Sequence, residues 1–221
     1  MAGTLALIGG AEWTDGCSFD QALLEASGGE TVLVLPTAAA YEHPERAVDR
    51  AREWFGALGA QVEAAMVVAR PDAMDPAAAS RVRAAPFVYL SGGGSPMHFR
   101  SVLKDTPVWD GLVEGWREGA VLAASAASAR SLCDPMVDPR GGAFTLGLGL
   151  LPKLAIIPHH DDWSGERKHR TLELAPQGVP LVGIDERTAV IRGPEESWRV
   201  EGVGEVEVFV DHQPAGLEVL P

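Results

Sequence analysis

Three polar residues of the chain, Ser125, His159 and Glu186, could together perform acyl transfer through a nucleophile. Each follows a short apolar run typical of a buried strand, so each lies at or just past the carboxyl end of that strand. A serine hydroxyl is a poor nucleophile until a base removes its proton, and the base needs an acid that fixes its tautomer. We therefore predict a triad at one edge of one sheet, with Ser125 as nucleophile, His159 as base and Glu186 as acid partner.

Two aspartates compete with Glu186 for the role of acid partner. Asp134 and Asp138 come soon after the serine, in a stretch rich in Gly, Pro and Asp that indicates a long loop. The non-catalytic interpretation also stays open. The histidine could be a buried, hydrogen-bonded residue, and Glu186 could be a strand-end carboxylate paired with Arg187 or Arg192.

The serine lies in residues 119–130, GAVLAASAASAR, which have the layout of a nucleophile elbow. An apolar strand, a turn of small residues and a run of helix formers follow one another, with Ser125 at the apex. We expect Ala123 to lie in the strand and Ala127 in the first helical turn, so that both have negative φ. A plain connection between strand and helix is the alternative.

A glycine-rich loop, SGGGS at residues 91–95, follows another predicted strand. Glycine allows close backbone approach, so the loop could direct N–H groups at an oxyanion. We predict the N–H groups of Gly93 and Ala126 as oxyanion donors. A phosphate nest is the competing interpretation, although the chain has neither a GxGxxG motif nor a Walker lysine.

Residues 159–162, HHDD, contain metal-ligating side chain types, but adjacent residues seldom point at one ion and no histidine follows at i+4. We therefore predict no metal and no other cofactor. Arg167 and Arg170 lie three residues apart on the next predicted helix. Most such charges are solvated, but one of the two could bind a substrate carboxylate.

The elements that must position these residues alternate between strand and helix through the first 130 residues. This pattern predicts an α/β fold with a mostly parallel sheet covered by helices on both faces. Ligands of such sheets bind outside the carboxyl ends of the strands. Short β segments after residue 187 predict a small antiparallel extension at the C-terminus. Without a repeat or linker, we expect one domain over residues 1–221.

Composition excludes several classes of function. The 221 residues carry a net charge of −13, which disfavours a nucleic-acid partner. No apolar run approaches the roughly 20 residues that span a bilayer, and the N-terminus lacks the features of a signal peptide. Cys17 and Cys133 are far apart, as free thiols in a reducing compartment would be. We expect a cytoplasmic protein, and a homodimer stays open.

With these residues in place, the chain resembles peptidase family S51, the group of peptidase E and cyanophycinase. The segments that carry the resemblance run over nearly the whole chain: LALIGGAE, LSGGGS, AASAAS, IIPHHDDWSGERKHR and GIDERTAV. The family has a flavodoxin-like, glutamine-amidotransferase-like three-layer fold. Its GxSAGA elbow implies Ser125 as nucleophile, its histidine segment implies His159 as base, and its GIDExTA segment implies Glu186. In peptidase E-like members the acid follows the elbow, which here implies Asp134.

The resemblance also implies which residues meet a substrate, and they are Gly94, His160, Arg167 and Arg170. The chain departs from the family at the elbow glycines, replaced by Ala123 and Ala127, and at the loop asparagine, replaced by Gly94. We expect a serine dipeptidase that hydrolyses short aspartyl or β-aspartyl peptides. The alternative is a catalytically weakened relative that binds a small acidic ligand. An amidotransferase is disfavoured because that class uses cysteine at the elbow.

Overall fold

The computed structural model describes all residues of the chain, 1–221. It contains eight α-helices, which in chain order are α1 (Phe19–Ala26), α2 (Pro44–Ala57), α3 (Arg70–Ala73), α4 (Pro76–Ala84), α5 (Pro96–Leu103), α6 (Pro107–Arg117), α7 (Ala126–Leu132) and α8 (Gly165–Glu173). Three short 3₁₀ helices cover Thr37–Ala39, His160–Asp162 and Leu217–Val219.

The chain also contains fifteen β-strands. In chain order they are β1 (Leu5–Ile8), β2 (Thr31–Leu35), β3 (Gln61–Ala64), β4 (Phe87–Leu90), β5 (Val121–Ser125), β6 (Cys133–Asp134), β7 (Met136–Val137), β8 (Phe144–Thr145), β9 (Leu151–Pro152), β10 (Ala155–Pro158), β11 (Leu181–Ile184), β12 (Thr188–Arg192), β13 (Trp198–Gly202), β14 (Val206–Val210) and β15 (Gln213–Ala215).

The main sheet has seven strands in the order β13-β12-β1-β5-β4-β2-β3. Strands β1 to β5 are parallel to one another, whereas β12 and β13 are antiparallel. The predicted mostly parallel sheet with a small antiparallel extension is therefore confirmed. Both the glycine loop after β4 and the end of β5 lie at the carboxyl edge, where ligands of such sheets bind.

Two apolar clusters lie on opposite faces of this sheet and produce three layers. Alternate residues of β1 point to opposite sides, so Leu5 and Leu7 join one cluster and Ala6 and Ile8 the other. Helices α4, α5, α6 and α7 supply residues to the first cluster, and α1 and α2 to the second. Because both faces are covered, every residue of β1, β4 and β5 is buried.

The four-stranded sheet corrects the expectation that the triad lies at one edge of one sheet. The segments that precede His159 and Glu186 do form strands, β10 and β11, but they belong to a separate four-stranded sheet in the order β10-β11-β14-β15. The predicted triad therefore draws on two sheets rather than on one edge of one sheet. The stretch from Cys133 to Leu151, expected to be a loop, contains the short strands β6 to β9. None of the helices combines the length and apolar character needed to cross a membrane.

The glycine loop is held by its neighbours at both ends. Ser95 caps α5, since its hydroxyl accepts a hydrogen bond from the N–H of His98 at 3.2 Å. Gly94 has φ +99°, and a Cβ there would lie 2.0 Å from the carbonyl oxygen of Ala38. Only glycine fits this position, so the loop has a defined path over the end of β4.

A buried acid in the second cluster generates a stability prediction. Asp20 is fully buried, and its Oδ2 accepts a hydrogen bond from Trp54 Nε1 at 2.9 Å. Burial raises the pKa of Asp20 well above its usual range, and the nearby Glu12 adds to the rise. The folded protein thus retains a proton that the unfolded chain releases from about pH 4 upward.

We expect wild type to lose stability relative to the Asp20→Asn variant as the pH rises from about 4, because only the carboxyl can ionise. Urea unfolding of both proteins across a pH series measures this difference in free energy. The exposed Asp15 is the control, and Asp15→Asn should show no comparable trend. A pH-independent difference for Asp20→Asn would contradict the assignment.

Candidate active site

The elbow between β5 and α7 turns at Ala126. Strand β5 continues through Ser125, which lies opposite Ile8 of β1 and has extended dihedrals, φ −111° and ψ 147°. Ala126 has φ +43°, the left-handed region that nonglycine residues rarely adopt. Ala123 and Ala127 both lack positive φ, as predicted. The strained residue at the apex of this turn is therefore an alanine.

Ser125 lies beneath the apex and is fully buried. Its hydroxyl donates a hydrogen bond to Glu12 Oε2 at 2.8 Å, and the N–H of Gly92 donates to Glu12 Oε1 at 2.8 Å. The serine forms no hydrogen bond with His159. The expected position of Ser125 at the apex is thus wrong by one residue, because β5 continues through Ser125 and the turn falls at Ala126.

The histidine and the glutamate of the predicted triad do meet. His159 Nδ1 lies 2.7 Å from Glu186 Oε1, and each side chain is a little over one-third exposed. A carboxylate at Nδ1 favours the tautomer with the proton on that nitrogen, so Nε2 is left as a proton acceptor. The backbone N–H of His159 donates to the carbonyl of Gly9 at 2.8 Å, which ties the end of β10 to the turn after β1.

Neither rival acid contacts the histidine. Asp134 Oδ1 accepts a hydrogen bond from the N–H of Gly147 at 3.2 Å. Asp138 pairs with Arg140 at 3.0 Å, and this hydrogen bond lowers the pKa of Asp138 below its usual range. Both carboxylates therefore form their contacts within the segment between α7 and β10, and neither orients His159.

A cavity of about 390 Å³ opens above the elbow. Its wall includes the glycine loop, Ala126 and His159, together with Arg130, Trp163 and Arg167, but not Ser125 or Glu186. The N–H groups of Gly93 and Gly94 have no backbone acceptor. These two N–H groups are therefore available to a ligand, whereas that of Ala127 donates to the carbonyl of Gly92 at 3.3 Å.

Two of the four residues expected to bind substrate lie elsewhere. His160 is 4% exposed, and its ring packs against Gly183, where a Cβ would lie 2.6 Å from the ring. Burial lowers the pKa of His160, with Lys168 contributing. Arg170 is outside the cavity wall and packs against Gly142. Both expectations are corrected, because the His160 ring packs against β11 of the four-stranded sheet and Arg170 packs against the loop between β7 and β8.

Three residues of the site escaped the sequence argument. Glu12 follows the first glycine turn, and nothing in its local pattern shows that it reaches the elbow. Arg130 lies in the last turn of a helix of small residues and resembles an ordinary surface charge in the sequence, yet it is buried. Trp163 lines the cavity, but its sequence context does not mark it as part of a site.

The elbow and the glycine loop lie at the carboxyl edge of the parallel sheet, and His159, which contacts Glu186, lines the cavity above them. The chain belongs to peptidase family S51, whose model matches residues 5–197. No curated protein matches the sequence.

The solved structures that resemble this one include two peptidase structures. A peptidase from an acI-B1 Actinobacterium is 28% identical with a TM-score of 0.86, and the match covers 97% of this chain and 93% of that chain. A putative peptidase E protein from Listeria monocytogenes EGD-e is 16% identical with a TM-score of 0.71, and the match covers 92% of this chain and 100% of that chain. The second likeness concerns the fold alone. Family membership and the first of these neighbours support a peptidase.

The structure contains no group of three or more His, Cys, Asp or Glu side chains arranged to hold a metal ion.

The Glu12 hydrogen bonds generate a prediction about stability. Glu12→Ala leaves the Ser125 hydroxyl and the Gly92 N–H buried without an acceptor, so we expect a loss of about 2–4 kcal/mol in the free energy of unfolding. Urea denaturation measures it. In a double-mutant cycle with Ser125→Ala, the two losses should fall short of additivity by about 1–3 kcal/mol. Additive effects would show that the two side chains are energetically independent.

Proposed function

We propose that this chain uses the S51 pocket to bind short acidic peptides and does not cleave them through a serine. The observation that carries the proposal is the identity of the apex residue. Ala126 adopts the positive φ of an elbow apex and lines the cavity with His159, whereas the hydroxyl of the preceding residue, Ser125, is buried and hydrogen-bonded to Glu12.

The family motif supports this assignment when it is aligned on the apex. With the serine of GxSAGA placed at Ala126, its two alanines fall on Ala127 and Ala129, and the variable position falls on Ser125. The glycine positions then hold Ala124 and Ser128. In this register the chain lacks the motif serine and retains both motif alanines.

The chemistry that remains is a base without a nucleophile. His159 is oriented by Glu186 at 2.7 Å, so its Nε2 could accept a proton. An acyl-enzyme needs a hydroxyl within about 2.6–3.2 Å of that base, and the methyl group of Ala126 has no proton to give and no lone pair to attack with. The free N–H groups of Gly93 and Gly94 and the positive charge of Arg167 still favour an acidic ligand in the cavity.

A second candidate function is hydrolysis of aspartyl or β-aspartyl dipeptides by a Ser125–His159–Glu186 triad. The short contact between His159 and Glu186 favours it, since that pair has the geometry of a working dyad. It requires Ser125 to leave Glu12 and rotate out from beneath the apex. That movement breaks a buried hydrogen bond, at a cost of about 1–3 kcal/mol for the acceptor left behind.

The two candidate functions predict different effects of substitutions on peptide hydrolysis. We expect wild type to show no hydrolysis of aspartyl dipeptides above background and no labelling by a fluorophosphonate. Ala126→Ser restores a hydroxyl at the apex and should gain at least about 100-fold over that background, since complete triads contribute on the order of 10⁴ to 10⁶. Peptide turnover and intact-mass spectrometry measure the two effects.

Ala127→Ser is the matched control, because it adds the same hydroxyl one residue beyond the apex and should gain nothing. Ser125→Ala should leave peptide binding unchanged. Hydrolysis by wild type that disappears in Ser125→Ala would overturn the proposal in favour of the second candidate.

A further inference from the structure

We propose that Arg130 and Arg167 form an oxyanion-binding subsite in this cavity, and that the subsite anchors the ligand through a carboxylate or phosphate group. The inference deepens the proposed function and rests on it in one respect, namely that the ligand occupies the same cavity. It adds a residue, Arg130, that neither the family motifs nor the predicted triad includes.

Arg130 is a buried cation that has no hydrogen-bond or ion-pair partner in the protein. It is 5% exposed, lies on α7 and lines the cavity. Its Nε has no hydrogen-bond partner, and its guanidinium takes part in none of the ion pairs. The acid that attracts it, Asp138, is engaged by Arg140. A buried charge without a partner is costly, so such an arrangement is typical of a site whose counter-ion is the ligand.

Arg167 contacts the same tryptophan that lies near Arg130. Its Cζ is 3.6 Å from the centre of the Trp163 ring, and that of Arg130 is 6.0 Å away. The Nε of Arg167 is also buried without a partner, although its Nη2 donates to the carbonyl of Pro139. Stacking on the indole limits the motion of the planar guanidinium and so orients its remaining N–H groups.

The charges around the subsite leave it positive. Burial lowers the pKa of Arg130 to about 10, and the charge of Arg167 contributes, so Arg130 stays protonated at neutral pH. Asp162 lines the cavity and attracts Arg167, but it forms no ion pair with either arginine. An oxyanion between the two guanidinium groups would offset their mutual repulsion.

Guanidinium groups recognise planar carboxylates and phosphates through two parallel N–H···O bonds, which selects for an oxyanion over a neutral amide. The free N–H groups of Gly93 and Gly94 belong to the same cavity and could hold a carbonyl or second carboxylate of the ligand. A ligand with one oxyanion and a nearby amide could pair with the arginines and with the free N–H groups of the glycine loop at the same time.

The test uses the full-length protein and three probes: succinate, inorganic phosphate and the neutral succinamide. We expect succinate or phosphate to raise the melting temperature of wild type and to bind by calorimetry, whereas succinamide does neither. The oxyanion that binds more tightly shows whether the subsite prefers a carboxylate or a phosphate group of the ligand. Arg130→Met should weaken that binding at least about tenfold. Arg130→Lys retains the charge but not the two parallel N–H donors of the guanidinium group, so its affinity should fall between those of wild type and Arg130→Met.

Melting without ligand separates a binding role from a structural one. A residue that only stabilises the fold would lower the melting temperature when replaced. Arg130→Met removes an unpaired buried charge, so its melting temperature should equal or exceed that of wild type. Arg170→Met is the control outside the cavity and should bind like wild type.

The inference is overturned if neither oxyanion binds to wild type, or if Arg130→Met binds as tightly as wild type. The turnover result for Ala126→Ser is independent of this outcome. Loss of oxyanion binding in Arg130→Met would therefore support the subsite even if wild type proved to be a hydrolase.

Discussion

The two hydrogen bonds accepted by the Glu12 carboxylate are the contact on which the site depends. One oxygen holds the N–H of Gly92 and the other holds the hydroxyl of Ser125, each at 2.8 Å. A single side chain thus joins the turn after β1, the glycine loop after β4 and the last residue of β5. Because the carboxylate is buried, it has little water to replace a lost donor, and the three segments are held in one arrangement.

This arrangement decides which atoms face the cavity. With Ser125 drawn down to Glu12, the turn places the methyl group of Ala126 on the cavity wall beside His159. The base and its carboxylate are retained, as are free backbone N–H groups on the glycine loop. The chain therefore combines the binding features of a peptidase site with an apex that has no nucleophilic atom, and Arg130 adds a positive charge whose partner would be a ligand.

Much of the fold follows from local patterns. The apolar runs of β1, β2, β4 and β11 mark these strands in the sequence, because strands buried on both faces leave a continuous apolar signal. The separate sheet of β10 and β11 was not foreseen, since an apolar run shows that a strand is buried but not which strand it pairs with. The contact between His159 and Glu186 depends only on strand ends, and it could be anticipated.

The elbow register could not be read from the chain, because the small residues on either side of the apex give no periodic signal. Ser125 and Ala126 fit an extended strand end and a turn about equally well, and the choice between them is made by the distant Glu12. Arg130 presents the same difficulty. Its charge predicts exposure, and only the packing of α7 under the cavity buries it.

The central claim is that Ser125 is held beneath the apex and does not reach a substrate. The most direct test is a crystal structure of the wild-type protein soaked with an aspartyl boronic acid, which forms a tetrahedral adduct with an activated serine. We expect no boron–oxygen bond at Ser125, and we expect its Oγ to remain within about 2.6–3.0 Å of Glu12 Oε2. Boron bonded to Ser125 Oγ, with His159 Nε2 in hydrogen-bond reach, would contradict the account.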